Sequence, residues 1–468
     1  MVFSSLIFVF GLLPMCIIGG FVTRNRVKLQ NFFLLLMSLV FYSWGEPKYI
    51  YLFLFTIIIN WAFAYISSFF DDKLIRKLIG LVSVFIDLSI LFWFKYSGWC
   101  FTEVNELFGL NLYVPVTVLP IGISFYTFQA ISYVADVTLM EKYEAQKNPI
   151  NVGLYIAFFP QLIAGPIVRY EDLAEKMESR KMSLEEFSDG TLRFLYGFCK
   201  KILLADSVAV IVDKAFSNLG SNELTMSFAW LGAIAFSLQI FLDFSAYSDM
   251  AIGLGHMFGF TIRENFNVPY KARTVQDFWR RWHMSLSGWF RDYVYIPLGG
   301  NRSGNRRTYF NLGVVWLLTG IWHGANWTFI AWGVGYGALL VFERFFAIDV
   351  WLQKGRVRAA LYRIFTLLVV VMLWVIFRAD NISEAVSYIS CMFSVKTLTK
   401  GIPLTILYAS EYKWAIAAGL IISFQPEITS ERKKLLYNVG WPVLLILFVC
   451  SISYLVKGTF SPFLYFNF

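Results

Sequence analysis

An all-α, polytopic membrane bundle is the fold class this chain of 468 residues predicts, and three observations predict it. Hydrophobic residues make up 58% of the chain and charged residues only 15%, where a soluble domain carries about 25% charged; the mean hydropathy is +0.60. Apolar runs near the ~20 residues needed to cross a bilayer recur along nearly the whole length. None alternates in the roughly ten-residue pattern of a barrel strand, so helices satisfy the backbone. About eleven or twelve membrane-embedded segments are expected, some of them tilted, broken or re-entrant.

The first apolar run, residues 4–21, has no basic residue before it and no small-residue cleavage site after it, so it reads as a retained helix rather than a signal peptide. Runs 31–44, 49–70 and 78–94 complete four simple helices. Arg24, Arg26 and Lys28 follow the first, and Lys73, Arg76 and Lys77 follow the third. Excess Lys and Arg mark the cytoplasmic side, so the N-terminus lies outside. Residues 119–129 mix Pro120, Gly122, Ser124 and Gln129 into an apolar segment, which suits a helix facing protein or water. Pro160, Gly165 and Pro166 predict a broken or re-entrant element at 158–167. Runs 228–244, 364–377 and 441–456 are further spans. No repeat, linker or low-complexity tract divides the chain, so residues 1–468 are taken as a single membrane domain. The five cysteines show neither metal spacing nor a disulfide pattern.

The net charge of +9 needs no nucleic acid to explain it, because much of it gathers in one polar insertion, 263–307. Nine Lys or Arg stand there against Glu264, Asp277 and Asp292, a local balance of +6, so this segment is expected at the cytoplasmic face. Thr274 can cap a helix, with Asp277 as a capping-box-like partner. Wound at 100° per residue, 275–290 puts Phe278, Trp279, Trp282, Leu286, Trp289 and Phe290 on one arc, with His283 at its edge. That is an amphipathic helix lying in or dipping into the membrane surface. Two readings stand side by side: an anchor with arginines toward headgroups, or a site where Arg280, Arg281 and Arg291 meet a phosphate-bearing substrate.

Only three histidines occur. His323 lies in Gly320-Ile321-Trp322-His323-Gly324-Ala325-Asn326-Trp327, where residues 314–332 hold no Lys, Arg, Asp or Glu. A buried His bonded to a neighbouring carbonyl is the plain reading. A proton-transfer site is the sharper one, because imidazole titrates near neutrality and ionisable groups at membrane depth are costly. Asp243 and Asp249 interrupt the apolar run 240–252; they either orient a histidine or pair with nearby arginines, and the structural role is favoured.

Several blocks, in this order, carry a resemblance: Asp243-Phe244-Ser245-Ala246-Tyr247-Ser248-Asp249, then Glu264-Asn265-Phe266-Asn267-Val268-Pro269-Tyr270, then Phe278-Trp279-Arg280-Arg281-Trp282-His283, then Trp289-Phe290-Arg291-Asp292-Tyr293 through Gly299-Gly300-Asn301-Arg302, and the His323 block. Together they resemble the membrane-bound O-acyltransferase family, in the bacterial branch of the alginate O-acetyltransferase membrane subunit. The resemblance implies a helical bundle around a central funnel or tunnel, His323 as the catalytic histidine and His283 as the second. It implies acetyl-CoA as a cytoplasmic acyl donor; Arg280, Arg281, Arg291 and Asn301 are the candidate donor contacts, and no metal is expected. It also implies an extracytoplasmic polysaccharide acceptor, a secreted SGNH-hydrolase-type partner and residence in the bacterial cytoplasmic (inner) membrane among lipid. Asn326, Trp327 and Asp243 are candidates for holding the oxyanion or orienting the reacting groups. D-alanyl transfer to teichoic acid and a transporter without covalent chemistry are the alternatives.

Overall fold

The computed structural model describes residues 2–221, 223–397, 402–426, 430–458 and 463. The described residues form helices joined by turns, with no strand among them. Six helices are long and apolar enough to cross a membrane: Val27–Gly45, Ile50–Ser67, Lys73–Lys95, Met226–Met257, Arg356–Arg378 and Val439–Val456. Phe8–Thr23 and Lys413–Phe424 are shorter apolar helices. The protein is a multi-pass, all-α membrane protein. Its chain contacts gather into two compact units, one of residues 1–198, 247–264 and 436–458, the other of 199–246, 265–435 and 459–468.

In the first unit, Asp72 starts Lys73–Lys95 by accepting the Leu74 N–H at 2.7 Å. That helix turns Leu78, Leu81 and Phe85 outward, the arrangement a lipid-facing surface requires. Its Asp87 is buried and accepts from Asn60 Nδ2 at 2.9 Å, while Ser83 donates to Asn60 Oδ1. All twelve residues of Ile123–Val134 are buried, which explains the Ser and Gln in an apolar segment. After the helix Pro149–Ala157, the two-proline stretch 158–167 holds only the four-residue helix Phe159–Leu162 and a buried turn and coil. Asp249 pairs with Arg193 at 3.0 Å, and Glu264 meets the same guanidinium at 2.6 Å.

In the second unit, Gly304–His323, Trp327–Phe345 and Arg356–Arg378 surround a core of Phe278, Trp279, Trp282, Trp316, Trp332, Tyr336 and Trp374. The expected continuous helix over 275–290 is in fact two short helices, Val275–Arg281 and Met284–Phe290, broken at Trp282 and His283. These two helices are the limbs of a hairpin, and the first of them packs against the three long helices. At its foot, the Val275 and Gln276 N–H groups donate to Glu343 at 2.6 and 2.8 Å, and Thr366 Oγ1 donates to Arg273 O. Higher up, Trp279 packs on Trp316, Trp332 and Tyr336, and Trp282 packs on Trp374. At the tip, His283 reaches Trp322. The aromatic arc was read on the right side of the helix, but it meets protein aromatics rather than lipid.

Candidate active site

Residue by residue, the site starts at the end of Gly304–His323. Asn326 opens the next helix: its Oδ1 accepts from Thr328 N–H at 3.0 Å, and its Nδ2 donates to Asp380 O at 2.7 Å. Both ends of that carboxamide therefore brace the turn after His323, while Trp327 is half exposed. His323 itself is only 7% exposed. Its ring sits 4.9 Å from Trp322, 4.9 Å from Trp332 and 5.1 Å from Phe377, with Phe329 at 6.4 Å. Four uncharged aromatics thus surround the imidazole. Such rings exclude water, and their π faces favour a ring that becomes cationic.

His283 occupies the break in the hairpin with a left-handed backbone, φ +43°, which costs a non-glycine residue about 1–3 kcal/mol. Two backbone bonds hold it there: Met284 N–H donates to Asn265 O at 3.0 Å, and Asn267 N–H donates to Arg281 O at 2.9 Å. The ring is buried, 4.6 Å from Phe244 and 6.2 Å from Trp322. Burial pushes its pKa well below the ordinary imidazole value, so the ring is neutral. Both candidate histidines pack on one indole, that of Trp322.

Asp243, expected to orient a histidine or to pair with a nearby arginine, meets a lysine. Lys201 Nζ lies 2.7 Å from Asp243 Oδ1 and 2.7 Å from Asp206 Oδ1, with Lys201 and Asp243 buried. The next residue, Phe244, is the one that packs on His283. Lys201 and Asn265 are the residues sequence reasoning passed over. Lys201 carried a signal, a lysine pair inside an apolar stretch, where a charge demands a partner. Asn265 carried none, because its role depends on a contact with residues eighteen and twenty positions away.

The basic segment is less available than its composition suggests. Arg281 Nε donates to Asp277 Oδ1 at 2.8 Å, one turn earlier. Arg291 grips its own neighbour, Asp292, at 2.7 Å. Arg280 and Asn301 are exposed. Thr274 caps its helix through Asp277 N–H at 3.1 Å, and the Asp277 carboxylate accepts from Arg273 N–H. Among the described residues no group of three or more His, Cys, Asp or Glu could hold a metal ion.

The membrane-bound O-acyltransferase family model matches residues 39–387. The chain is 38% identical to a probable alginate O-acetylase of Pseudomonas putida over the full length of both. It is 30% identical to a peptidoglycan O-acetyltransferase of Helicobacter pylori, covering 100% of this chain and 98% of that one. A teichoic acid D-alanyltransferase of Bacillus subtilis is 29% identical over 50% of this chain and 60% of its own. With a matched region that contains both candidate histidines, the chain belongs to the membrane-bound O-acyltransferase family and is an O-acyltransferase.

Proposed function

We propose that the protein moves an acetyl group from cytoplasmic acetyl-CoA to hydroxyls of an extracytoplasmic polysaccharide, directly or through a secreted SGNH-hydrolase-type partner, in a bacterial inner membrane. One observation carries this reading. Gly304–His323 is a twenty-residue helix with Arg306 and Arg307 in its first turn and the caged His323 as its last residue. At 1.5 Å per residue these ends lie about 30 Å apart, roughly the thickness of the hydrocarbon core. A phosphate-bearing donor meets arginines at one end, and an imidazole waits in a dry aromatic setting at the other.

His323 serves in one of two ways. As general base it takes the acceptor's hydroxyl proton while the oxygen attacks the thioester carbonyl; the C–S bond then breaks and the proton passes to the leaving sulfur. As a covalent relay its nitrogen attacks first, an acetyl-imidazole forms as the thiolate leaves, and the acceptor oxygen then takes the acetyl group. The two full-length relatives, named for O-acetyl transfer to alginate and to peptidoglycan, support a glycan acceptor. The teichoic acid D-alanyltransferases match over half of this chain, which gives the D-alanyl alternative less support.

His323→Ala tests the reading. The variant should insert and fold, since the aromatic rings around the position pack on one another without it, yet cells producing it should make polymer without O-acetyl groups, and vesicles should not turn over labelled acetyl-CoA. Acetylation at the wild-type level in that variant overturns the assignment.

A further inference from the structure

At the hairpin break, Asn265 presents a single carboxamide oxygen to three groups. Ser285 N–H lies 3.3 Å from Asn265 Oδ1, the Ser285 hydroxyl 2.8 Å, and His283 Nδ1 3.1 Å. A backbone N–H only donates, so the atom facing it is the oxygen and the carboxamide orientation is fixed. That oxygen only accepts, so His283 Nδ1 carries its proton and donates. A neutral imidazole protonated at Nδ1 has a bare lone pair at Nε2. Nε2 is buried and has no hydrogen-bond partner among the described residues. The rings packed against His283 are Phe244 and Trp322, neither of which titrates. A buried acceptor left open in this way marks a place where a partner arrives during function.

We propose that Asn265 is a positioning residue: it locks His283 as the Nδ1–H tautomer, so that His283 offers Nε2 as the proton acceptor in acyl transfer. This rests on the acetyl-transfer reading above and adds to it the direction in which His283 works. In the resting state His283 accepts and has no proton at Nε2 with which to stabilise an oxyanion. As the acceptor oxygen bonds to the acetyl carbon, its O–H bond breaks and the proton moves to Nε2. The imidazolium keeps its Nδ1–H on Asn265. When the C–S bond has broken, the proton passes to the thiolate as free thiol and Nε2 is bare again. With His283 taking the acceptor proton, His323 acts as the covalent relay: the acceptor oxygen takes the acetyl group from its imidazole as that C–N bond breaks, the C–S bond having broken when the acetyl-imidazole formed. The left-handed backbone of His283 has a purpose in this arrangement. It turns the ring back toward Asn265 and Ser285, where an unbroken helix would carry it away.

The chain has three histidines, which makes the tautomer directly readable. Histidine labelled with 15N in lipid-reconstituted protein gives three imidazoles by magic-angle-spinning NMR, and His283 is identified by the signals lost in His283→Gln. In the wild type between pH 6 and 8, Nδ1 should be protonated and Nε2 bare. In Asn265→Ala the lock is gone, and Nε2–H should appear. Turnover of acetyl-CoA should fall on the order of 100-fold in kcat, the scale of a lost general base, with little change in donor KM. Asn265→Asp keeps an acceptor oxygen and should restore the tautomer and most of the rate. Its carboxylate favours the imidazolium, so the acid limb of the kcat profile should move to higher pH. A protonated Nε2 in the wild type overturns the proposal, whatever the variants do. So does an unchanged tautomer in Asn265→Ala, or an Asn265→Asp protein that folds and is as slow as Asn265→Ala at every pH. The NMR result stands independently of catalysis, so a failure of the acetyl-transfer reading at His323 would be seen separately.

Discussion

Two oxygens at 2.7 Å hold the buried ammonium of Lys201, one from Asp206 and one from Asp243. Removing Asp243 leaves the ammonium with Asp206 alone and one charged hydrogen bond unmade, which costs about 1.5–3 kcal/mol. Asp243→Ala should therefore lower the thermal unfolding midpoint of the purified protein sharply, while Asp243→Asn, which keeps an acceptor oxygen, should lower it less. Equal midpoints for the two variants would show that the acceptor oxygen at 243 contributes nothing. At this scale the sequence was legible where chemistry is scarce. One histidine in a charge-free apolar stretch stands out because imidazole at membrane depth is costly, and His323 does lie in an apolar cage. Asp243 was legible as a buried carboxylate but not in its partner, since the lysine that neutralises it lies forty-two positions earlier and no local pattern pairs them. Asn265 was invisible for the same reason.

Among the elements, the long helices could be read from hydropathy, and the described spans overlap the expected ones throughout the first four helices. The hairpin could be read only in part. Periodicity found its aromatic arc and its Thr274 cap, but a 100° winding cannot register a positive φ at a non-glycine residue, so the break at His283 was missed. Nor does an apolar arc say whether lipid or protein will cover it; here Trp316, Trp332, Tyr336 and Trp374 do. The foot of the hairpin hangs on Glu343, whose carboxylate accepts two N–H groups of the first turn. Glu343→Ala should destabilise the protein by about 1–3 kcal/mol, read as a lower unfolding midpoint in detergent. Arg280 differs, being exposed, whereas Arg281 is tied to Asp277. Arg280→Ala should raise the KM for acetyl-CoA several-fold, more at low salt than at high salt, with the unfolding midpoint unchanged. An unaltered KM would assign Arg280 to the headgroup region instead.

For the whole molecule, the charge pattern makes a topological prediction. Ser303 lies in the exposed basic turn before Gly304–His323 and should face the cytoplasm. With the exposed Cys450 replaced by Ser, a Ser303→Cys protein should react with a membrane-impermeant thiol reagent only in inside-out vesicles. Labelling from outside intact cells would reverse the orientation and the direction of donor entry. The separation of the basic turn from His323 by one bilayer-thick helix also has an electrical consequence. In the proposed transfer, a cytoplasmic thioester and an outer hydroxyl exchange an acylium equivalent, carried outward, for a proton, carried inward to the sulfur. The two charges cancel. Moving a single uncompensated charge would couple turnover to voltage by about 2.3 kcal/mol per 100 mV, but this exchange is neutral. Reconstituted protein on a solid-supported membrane, supplied with acetyl-CoA on one side and acceptor on the other, should acetylate steadily and pass no sustained current. A steady current proportional to turnover would mean that the proton leaves by another path. The bacterium, on this account, decorates its exterior at the expense of a cytoplasmic thioester without drawing on its membrane potential.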